Sequence, residues 1–251
     1  MISQTAKALA FMVGTSLLGT AAQATDLSAL TAAERADFRA EVRAYLLENP
    51  DVLMEAFAVL EQRQAQQAAQ NDAQLLAVNA KALYEDPNAW VGGNPEGDVT
   101  IVEFIDYRCG YCRKAHSEVE QLVQSDKNIR LIVKEFPILG QDSLRSSQFA
   151  IAVKLLHGND AYKLAHDALI SLKQGTSDTT LGRLASSLGF NGDEVLAKMN
   201  GVEVKAIIDD NRLLGQRLSI TGTPTFVMGD QMVRGYVPLD GMRDIVGQER
   251  S

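Results

Sequence analysis

The sequence predicts an α/β protein whose central sheet carries helices on both faces, preceded by a long helical region. Runs of β-branched and apolar residues at 99–107, 129–137 and 225–235 are separated by segments with helical spacing. Residues 25–86 instead repeat apolar side chains every three or four positions, as an amphipathic helix does. Strands that alternate with helices favour a sheet that is covered on both faces.

The first 24 residues have the pattern of a secretory signal peptide. Lys7 is their only charge, an apolar stretch follows it, and Ala22 and Ala24 fit the small-residue pattern that signal peptidase reads. The apolar stretch is shorter than the roughly 20 residues that a membrane-spanning helix needs. Cleavage after Ala24 is therefore favoured over an N-terminal anchor, and we expect a soluble, exported protein of the periplasm.

The composition excludes some partners. The formal net charge of the chain is −8. An acidic protein has no electrostatic route to nucleic acid or to anionic membranes, so we expect no nucleic-acid partner. The 46 % content of hydrophobic residues indicates a folded globule rather than a disordered chain.

Residues 25–86 predict two helices. Thr31 and Glu34 fit a capping box at the start of the first. Asn49 and Pro50 fit the end of the first helix and the start of the second, which would run to about residue 84. The apolar stripes of the two helices consist of Phe38, Val42, Tyr45, Leu53, Phe57 and Leu60. Such a stripe must pack either on the protein's own body or on a second copy, so homo-oligomerisation through residues 25–86 is one of two alternatives.

The remaining chain predicts one domain behind a linker. Residues 87–97 are rich in turn-forming residues and are interpreted as the linker. Residues 98–251 then show strand, helix and strand, a helical insertion at about 141–218, two more strands and a last helix. This order predicts a thioredoxin-like fold with an inserted helical subdomain, preceded by an α-helical N-terminal extension.

Cys109 and Cys112 are the only cysteines, and two residues separate them. A bridge that closes so short a loop constrains the unfolded chain little, so a structural staple explains the pair poorly. A zinc site could use both cysteines and His116, but a fourth ligand is missing because His157 and His166 lack ligand-like spacing. We therefore expect a reactive dithiol and no metal, although soft thiolates can also bind copper(I).

The position of the pair favours thiol chemistry. The cysteines follow a predicted strand and open a predicted helix, whose N-terminus stabilises a thiolate. Cys109 is the expected nucleophile, and Cys112, one turn further in, the resolving thiol. Far downstream, Thr223-Pro224 directly precedes a strand, where a cis peptide bond or an ordinary trans bond could stand.

The order "EFIDYRCGYC", "KEFP", helical insertion and "TGTPTFV" resembles the DsbA-like periplasmic thiol–disulfide oxidoreductases from residue 98 to about 248. The resemblance implies that Pro224 is cis and lies against the cysteines, and that the backbone of Thr223 pairs with a substrate peptide. The helical N-terminal region resembles that of suppressor-of-copper-sensitivity C-type members, in which such a segment oligomerises the protein.

Glu103 lies within an otherwise apolar strand, six positions before Cys109. Burial would raise its pKa. In proteins of the resembling family, a carboxylate here moves protons to or from the buried cysteine, and Lys134 on the neighbouring strand could be its charge partner. The alternatives are a solvated edge position or a purely structural pair.

Gly110 and Tyr111 stand where strongly oxidising DsbA proteins have Pro-His, and together with Thr223 they are similar to the DsbC-type isomerases. This resemblance implies a disulfide isomerase or reductase acting on exported proteins and kept reduced by a membrane redox partner. Its only redox group would be the Cys109–Cys112 disulfide, without another cofactor. A monomeric oxidase is the alternative, and a non-enzymatic chaperone or copper-binding protein on this scaffold is a further one.

Overall fold

The computed structural model describes residues 30–251, so the predicted signal peptide lies outside the described residues. The chain divides into two compact units, one up to Leu60 and one from Glu61 to Ser251. Over the described part of the chain, none of the helices combines the length and the apolar character that crossing a membrane requires.

The first unit contains helix α1 (Ala32–Glu48) and the start of helix α2 (Asp51–Tyr84). The predicted capping box is present, since the backbone N–H of Glu34 donates to the Thr31 hydroxyl and that of Thr31 to the Glu34 carboxylate. The structure starts α2 at Asp51, and Asn49 ends α1, as predicted. Its backbone and side-chain N–H groups both donate to the carbonyl of Tyr45, which ends α1.

The apolar stripes of these helices are exposed. Each of their six side chains keeps at least 42 % of its surface accessible: Phe38, Val42, Tyr45, Leu53, Phe57 and Leu60. Helix α1 has no buried residue. The stripes therefore form an exposed apolar surface on the first unit.

The second unit is built on a five-stranded sheet in the order β1-β3-β2-β4-β5. Its strands are β1 (Trp90–Gly93), β2 (Val99–Ile105), β3 (Ile129–Glu135), β4 (Thr225–Met228) and β5 (Gln231–Arg234). β2 and β3 are parallel, and the other neighbours are antiparallel. Helix α3 (Gly110–Asp126) connects β2 to β3 and completes the predicted βαβ unit.

Six further helices complete the unit. They are α4 (Gln141–His157), α5 (Asn159–Ser171), α6 (Asp178–Ser187), α7 (Gly192–Met199), α8 (Val202–Arg217) and α9 (Leu239–Glu249). The five helices α4 to α8 fill the range in which the helical insertion was predicted. The mixed α/β fold with an inserted helical subdomain and a helical N-terminal region is thereby confirmed.

Strand β1 corrects the prediction that residues 87–97 are only a linker. Its four residues pair with β3, from Trp90 opposite Val133 to Gly93 opposite Arg130. Trp90 is buried, and its indole N–H donates to the carbonyl of Asn159 at 3.0 Å. Two of its four residues are glycines, so the strand shows no alternation of apolar and polar side chains. It forms through its pairing with β3 and cannot be predicted from its own sequence pattern.

Both faces of the sheet are covered. The end of α2 covers one of them, which corrects the prediction that the N-terminal helical region extends as a separate part to residue 86. Leu76 and Leu83 of α2 are buried with Leu214 of α8 and with Leu218, which caps its end, on the face formed by Val102, Phe104, Ile132 and Phe136. The last part of α2 therefore belongs to the core of the second unit. The opposite face packs against α3 and the inserted helices.

Gly215 tests how closely α8 packs on this face. A Cβ atom there would lie 2.4 Å from the ring of Phe136, which is itself buried against Phe104. We predict that Gly215→Ala lowers the free energy of unfolding by about 1–3 kcal/mol, although alanine is the better helix former. Urea unfolding of both proteins measures the difference.

The matched control is Gly247→Ala in α9, where the added Cβ meets nothing within 4 Å. It should stabilise the protein by up to about 1 kcal/mol. Equal effects of the two substitutions would contradict the predicted close packing of α8 on Phe136.

Candidate functional site

The two cysteines lie where β2 gives way to α3. Cys109 is the N-cap of α3, in extended conformation, and Cys112 lies in the first turn. Both are free thiols in this structure. Cys109 keeps 8 % of its surface exposed whereas Cys112 keeps none, so the first cysteine is the one that a substrate can reach. The free N–H groups and dipole of the helix N-terminus favour a thiolate at this position.

The structure brings the predicted proline loop to the cysteines. The Thr223-Pro224 peptide bond is cis. The Cys109 thiol donates to the backbone carbonyl of Thr223 with a Sγ–O distance of 3.1 Å. The backbone N–H of Gly235 donates to the carbonyl of Pro224 at 2.9 Å and holds the loop from its other side. Residues 114 positions apart thus form one site, as the resemblance implied.

Asp106 is a site residue that the sequence analysis missed. It is fully buried directly after β2, and one carboxylate oxygen accepts the N–H of Arg108 at 2.8 Å. Its other oxygen accepts the N–H groups of Ile138 and Leu139 at 2.8 and 3.0 Å. Asp106 therefore fixes the segment that leads into Cys109 together with the loop after β3. A lone aspartate at the end of an apolar strand, typical of an Asx turn, was the available signal.

Two arginines flank the dithiol in sequence and were also missed. The Arg108 and Arg113 side chains both donate to the carbonyl of Leu172, at 3.1 and 2.7 Å. Arg113 also donates to the carbonyl of Tyr107 at 3.0 Å. Both cations are thereby held at the N-terminal end of α3 against the end of α5.

Glu103 lies on the interior of the sheet, as predicted. It is 3 % exposed, and no group in residues 30–251 forms a hydrogen bond with its Oε1 atom. Burial raises the pKa of Glu103 to about 7, and the positive charge of His116 opposes this rise. Burial also raises the pKa of Cys112 far above its ordinary value, and the negative charge of Glu103 adds to that effect.

Lys134 is not the partner of Glu103. In the parallel register Lys134 stands opposite Phe104, so its side chain shares the face of Phe104, whereas Glu103 points to the other face. The Lys134 ammonium donates to the carbonyl of Ala82 at 3.0 Å and to the carboxylate of Asp86. The predicted charge pair is therefore wrong. The pairing of β2 with β3 places Lys134 one position away from Glu103, and adjacent positions point to opposite faces of the sheet.

Gly110 and Tyr111 are both exposed between the cysteines. A Cβ at Gly110 would meet nothing within 4 Å, so the space above it is open. The Tyr111 ring is 63 % exposed and stacks on Tyr236 with 6.1 Å between centroids. The Lys114 ammonium lies 4.1 Å from the centre of the Tyr236 ring. Tyr236, which the sequence analysis did not single out, thus borders the site.

His116 does not complete a zinc site with the cysteines. Across residues 30–251, the group of three side chains that could hold a metal ion consists of His116, His166 and Asp167. Burial lowers the pKa of His166 to about 3, so its ring is neutral near pH 7. The Tyr107 hydroxyl lies 3.0 Å from Nδ1 of His166. His157 stacks on Phe190 elsewhere.

The raised pKa of Glu103 predicts a pH-dependent stability. Its ordinary value is 4.5 and its folded value about 7. The folded protein keeps a proton that the unfolded chain loses, so the free energy of unfolding falls as the pH rises from about 4.5 to about 7. Glu103→Gln stays neutral and should be more stable than the wild type at pH 8, by at most about 3 kcal/mol.

Denaturant unfolding at pH 4 and at pH 8 measures this difference. The advantage of Glu103→Gln should be present at pH 8 and small at pH 4. Glu61→Gln, the same substitution at an exposed position of α2, is the control and should show no such change. An equal difference from the wild type at both pH values would contradict the predicted pKa.

Comparison with known proteins extends these observations. The family model of the DSBA-like thioredoxin domain matches residues 100–247, which is more than half of the chain. The model of the copper resistance protein ScsC N-terminal domain matches residues 34–67. Both matches fall within the described residues.

Two solved structures show the extent of the similarity. A thioredoxin-like oxidoreductase from Silicibacter pomeroyi is 40 % identical, covers 68 % of this chain and 96 % of its own, and gives a TM-score of 0.63. Proteus mirabilis ScsC in a transitional conformation is 28 % identical, with 88 % and 97 % covered and a TM-score of 0.63.

Curated relatives match over shorter stretches. The disulfide bond formation protein D of Bacillus subtilis is 23 % identical over 167 residues, which cover 62 % of this chain and 75 % of that protein. The chain spans 23 % of the length of two Na⁺/H⁺ antiporters, NhaA 3 of Salinispora tropica and NhaA 1 of Salinispora arenicola, each at 28 % identity. On the match over residues 100–247, the chain belongs to the DSBA-like thioredoxin domain family.

Proposed function

We propose that the protein is a thiol–disulfide oxidoreductase that acts on exported proteins through Cys109 and Cys112. The observation that carries this proposal is the contact between the Cys109 thiol, at the N-terminus of α3, and the backbone carbonyl of Thr223. It joins a reactive thiol to a backbone segment that can bind an extended peptide.

The proposed reaction transfers two electrons in two exchange steps. The Cys109 thiolate attacks a sulfur of the substrate disulfide, which forms a mixed disulfide and releases one substrate thiolate. The Cys112 thiolate then attacks the Cys109 sulfur, which forms the Cys109–Cys112 disulfide and releases the second substrate thiolate. The substrate is reduced, the protein is oxidised, and each released thiolate takes up a proton. For isomerisation, a second thiol of the substrate resolves the mixed disulfide instead.

Glu103 has the proposed role of proton acceptor for Cys112. Burial holds the pKa of Cys112 so high that the thiol must lose its proton during the reaction and not before it. A carboxyl group with a pKa of about 7 can accept a proton at neutral pH and release it again. Lys134 faces away from this site and has no part in the proposal.

Thr223 and Pro224 are proposed to bind the substrate. An extended peptide that passes Cys109 can pair with the backbone of Thr223, as strands add to one another in other peptide complexes. The hydrogen bond from the Gly235 N–H to the Pro224 carbonyl keeps this segment in place when one substrate replaces another. Tyr111 and Tyr236 offer exposed ring surface beside it.

Isomerase or reductase activity is the proposed direction, and oxidation of substrates is the alternative. Gly110 and Tyr111 supply no histidine to stabilise the Cys109 thiolate, so the disulfide should be a weaker oxidant than that of DsbA. The exposed stripes of α1 and α2 support assembly into a homo-oligomer, which would surround a misfolded chain with several dithiols. The match of residues 34–67 to the ScsC N-terminal domain also supports the proposed homo-oligomer.

The periplasm is the proposed location, reached through the signal peptide expected in residues 1–24. A membrane redox partner would return the dithiol to its reduced form. The reaction needs no cofactor beyond the Cys109–Cys112 pair.

Substitution of each cysteine tests the proposed roles. Cys109→Ser should abolish reduction of insulin and refolding of scrambled ribonuclease, because no accessible thiolate remains. Cys112→Ser should accumulate mixed disulfides with the substrate, which non-reducing electrophoresis detects. Equilibration of the wild type with glutathione should give a potential well below the value of about −120 mV typical of DsbA.

A chaperone or copper-binding protein would keep its refolding activity in Cys109→Ser, and this result would overturn the proposed exchange reaction. A potential near the DsbA value would leave exchange in place and make the oxidase alternative correct.

Disruption of the stripe tests the proposed oligomer. A deletion of residues 25–86 would remove the core residues Leu76 and Leu83, so point substitutions are the sharper probe. Phe38→Glu with Phe57→Glu should dissociate the oligomer in sedimentation velocity, since both rings lie on the stripe and are about half exposed. Ribonuclease refolding should fall severalfold while insulin reduction is kept.

Val78→Glu is the matched control, because Val78 is an apolar residue of α2 that is 85 % exposed and lies outside the stripe. It should leave the oligomer intact. A wild-type protein that sediments as a monomer would refute the proposed assembly.

A further inference from the structure

A second group of chemically active side chains lies between α3 and α5 and does not include the cysteines. His116 comes from α3, and His166 and Asp167 come from α5. One ligand atom from each of the three lies within 4.8 Å of the other two. We propose that this group, with Glu120 of α3 as a fourth ligand, binds a divalent transition-metal ion of the zinc type.

The distances suit such an ion. Nε2 of His116 lies 3.4 Å from Oδ1 of Asp167 and 3.7 Å from Oε2 of Glu120. A tetrahedral zinc ion with bonds of 2.0–2.1 Å separates neighbouring ligand atoms by about 3.4 Å. Two of the ligand pairs are therefore already close to the required spacing. The ligand nitrogens of His166 and His116 lie within 4.8 Å of each other, so His166 needs a modest approach to reach the same spacing.

The buried histidine is held in place before any ion binds. His166 is 4 % exposed, and its ring stacks with those of Trp90 and Tyr162. Its Nδ1 atom lies 3.0 Å from the Tyr107 hydroxyl. Hydrogen bonds of this kind fix the ring orientation of metal-binding histidines in known sites.

Asp167 and Glu120 each have one carboxylate oxygen near His116 and the other bound by Lys163. Lys163 donates to Oδ2 of Asp167 and to Oε1 of Glu120, which leaves Oδ1 and Oε2 on the side of His116. Oδ1 of Asp167 is shielded from solvent, and Nε2 of His116 lies 3.4 Å from it. Two carboxylates and one ammonium leave these three side chains with a net charge of −1, which attracts a cation to the imidazoles beside them.

The donor set determines the class of ion. Imidazole nitrogen with carboxylate oxygen suits zinc and its neighbours among the divalent transition metals. Copper(I) prefers thiolates, and magnesium and calcium prefer oxygen alone. The bound ion would connect α3, which carries the dithiol at its N-terminus, to the helical insertion, and would raise the melting temperature of the protein.

The test uses the purified protein with Cys109 and Cys112 oxidised to their disulfide, so that no thiolate can bind the metal. After treatment with a chelator, calorimetric titration with Zn²⁺ should show one ion bound per chain and an increase in melting temperature. Co²⁺ should give the visible absorption bands of a tetrahedral site. Because thiol–disulfide exchange plays no part in this measurement, its result is independent of the proposed function.

Substitutions assign the ligands. His116→Gln and Asp167→Asn should each weaken Zn²⁺ binding at least tenfold and remove the visible bands of Co²⁺, while their melting temperatures in chelator show that they fold. His157→Gln replaces the one histidine outside the group and should bind Zn²⁺ as the wild type does. The proposal is overturned if the oxidised wild type binds no Zn²⁺. It is also overturned if His116→Gln and Asp167→Asn keep the wild-type affinity, which would indicate adventitious surface binding.

Discussion

The parallel pairing of β2 with β3 is the constraint on which the rest of the site depends. It directs the carboxyl ends of both strands to one edge of the sheet, where β2 releases the chain into α3 with Cys109 as the N-cap. Asp106, the first residue after β2, then bonds to the loops on both sides of this edge. β4 lies antiparallel on the other side of β2, and this pairing carries the Thr223-Pro224 loop to the same edge. The dithiol and its peptide-binding segment thus meet because of strand order.

The same pairing also separates two charged residues that the sequence places on neighbouring strands. Glu103 points into the face that packs on α3, where nothing in the described chain bonds to its Oε1 atom and its pKa rises. Lys134 points into the opposite face and bonds to the last turn of α2. An ammonium beside Glu103 would have stabilised the carboxylate and lowered its pKa. With Lys134 on the other face, the carboxyl group near Cys112 keeps a pKa at which it can exchange protons in neutral solution.

The sequence predicted what depends on local pattern and missed what depends on register and on packing between distant segments. The βαβ unit, the inserted helices and the position of the cysteines followed from periodicity and from motifs. β1 was missed because Trp90–Gly93 has no period of its own and exists through its pairing with β3. The face of Lys134 could not be read because a shift of one residue reverses it. The approach of His116 to His166, 50 positions apart, depends on how α3 packs against α5.

Buried Lys134 is best explained as the anchor of α2. The last carbonyls of a helix have no partner within it, and cations near its C-terminus interact favourably with the helix dipole. Lys134 donates to the carbonyl of Ala82, and Arg130, four residues earlier on the same strand, donates to that of Tyr84 at 2.9 Å. The Asp86 carboxylate compensates the buried ammonium. Strand β3 therefore has two roles. It pairs with β2 to form the edge of the sheet where the dithiol lies. Its Lys134 and Arg130 side chains also hold the end of α2 against the sheet.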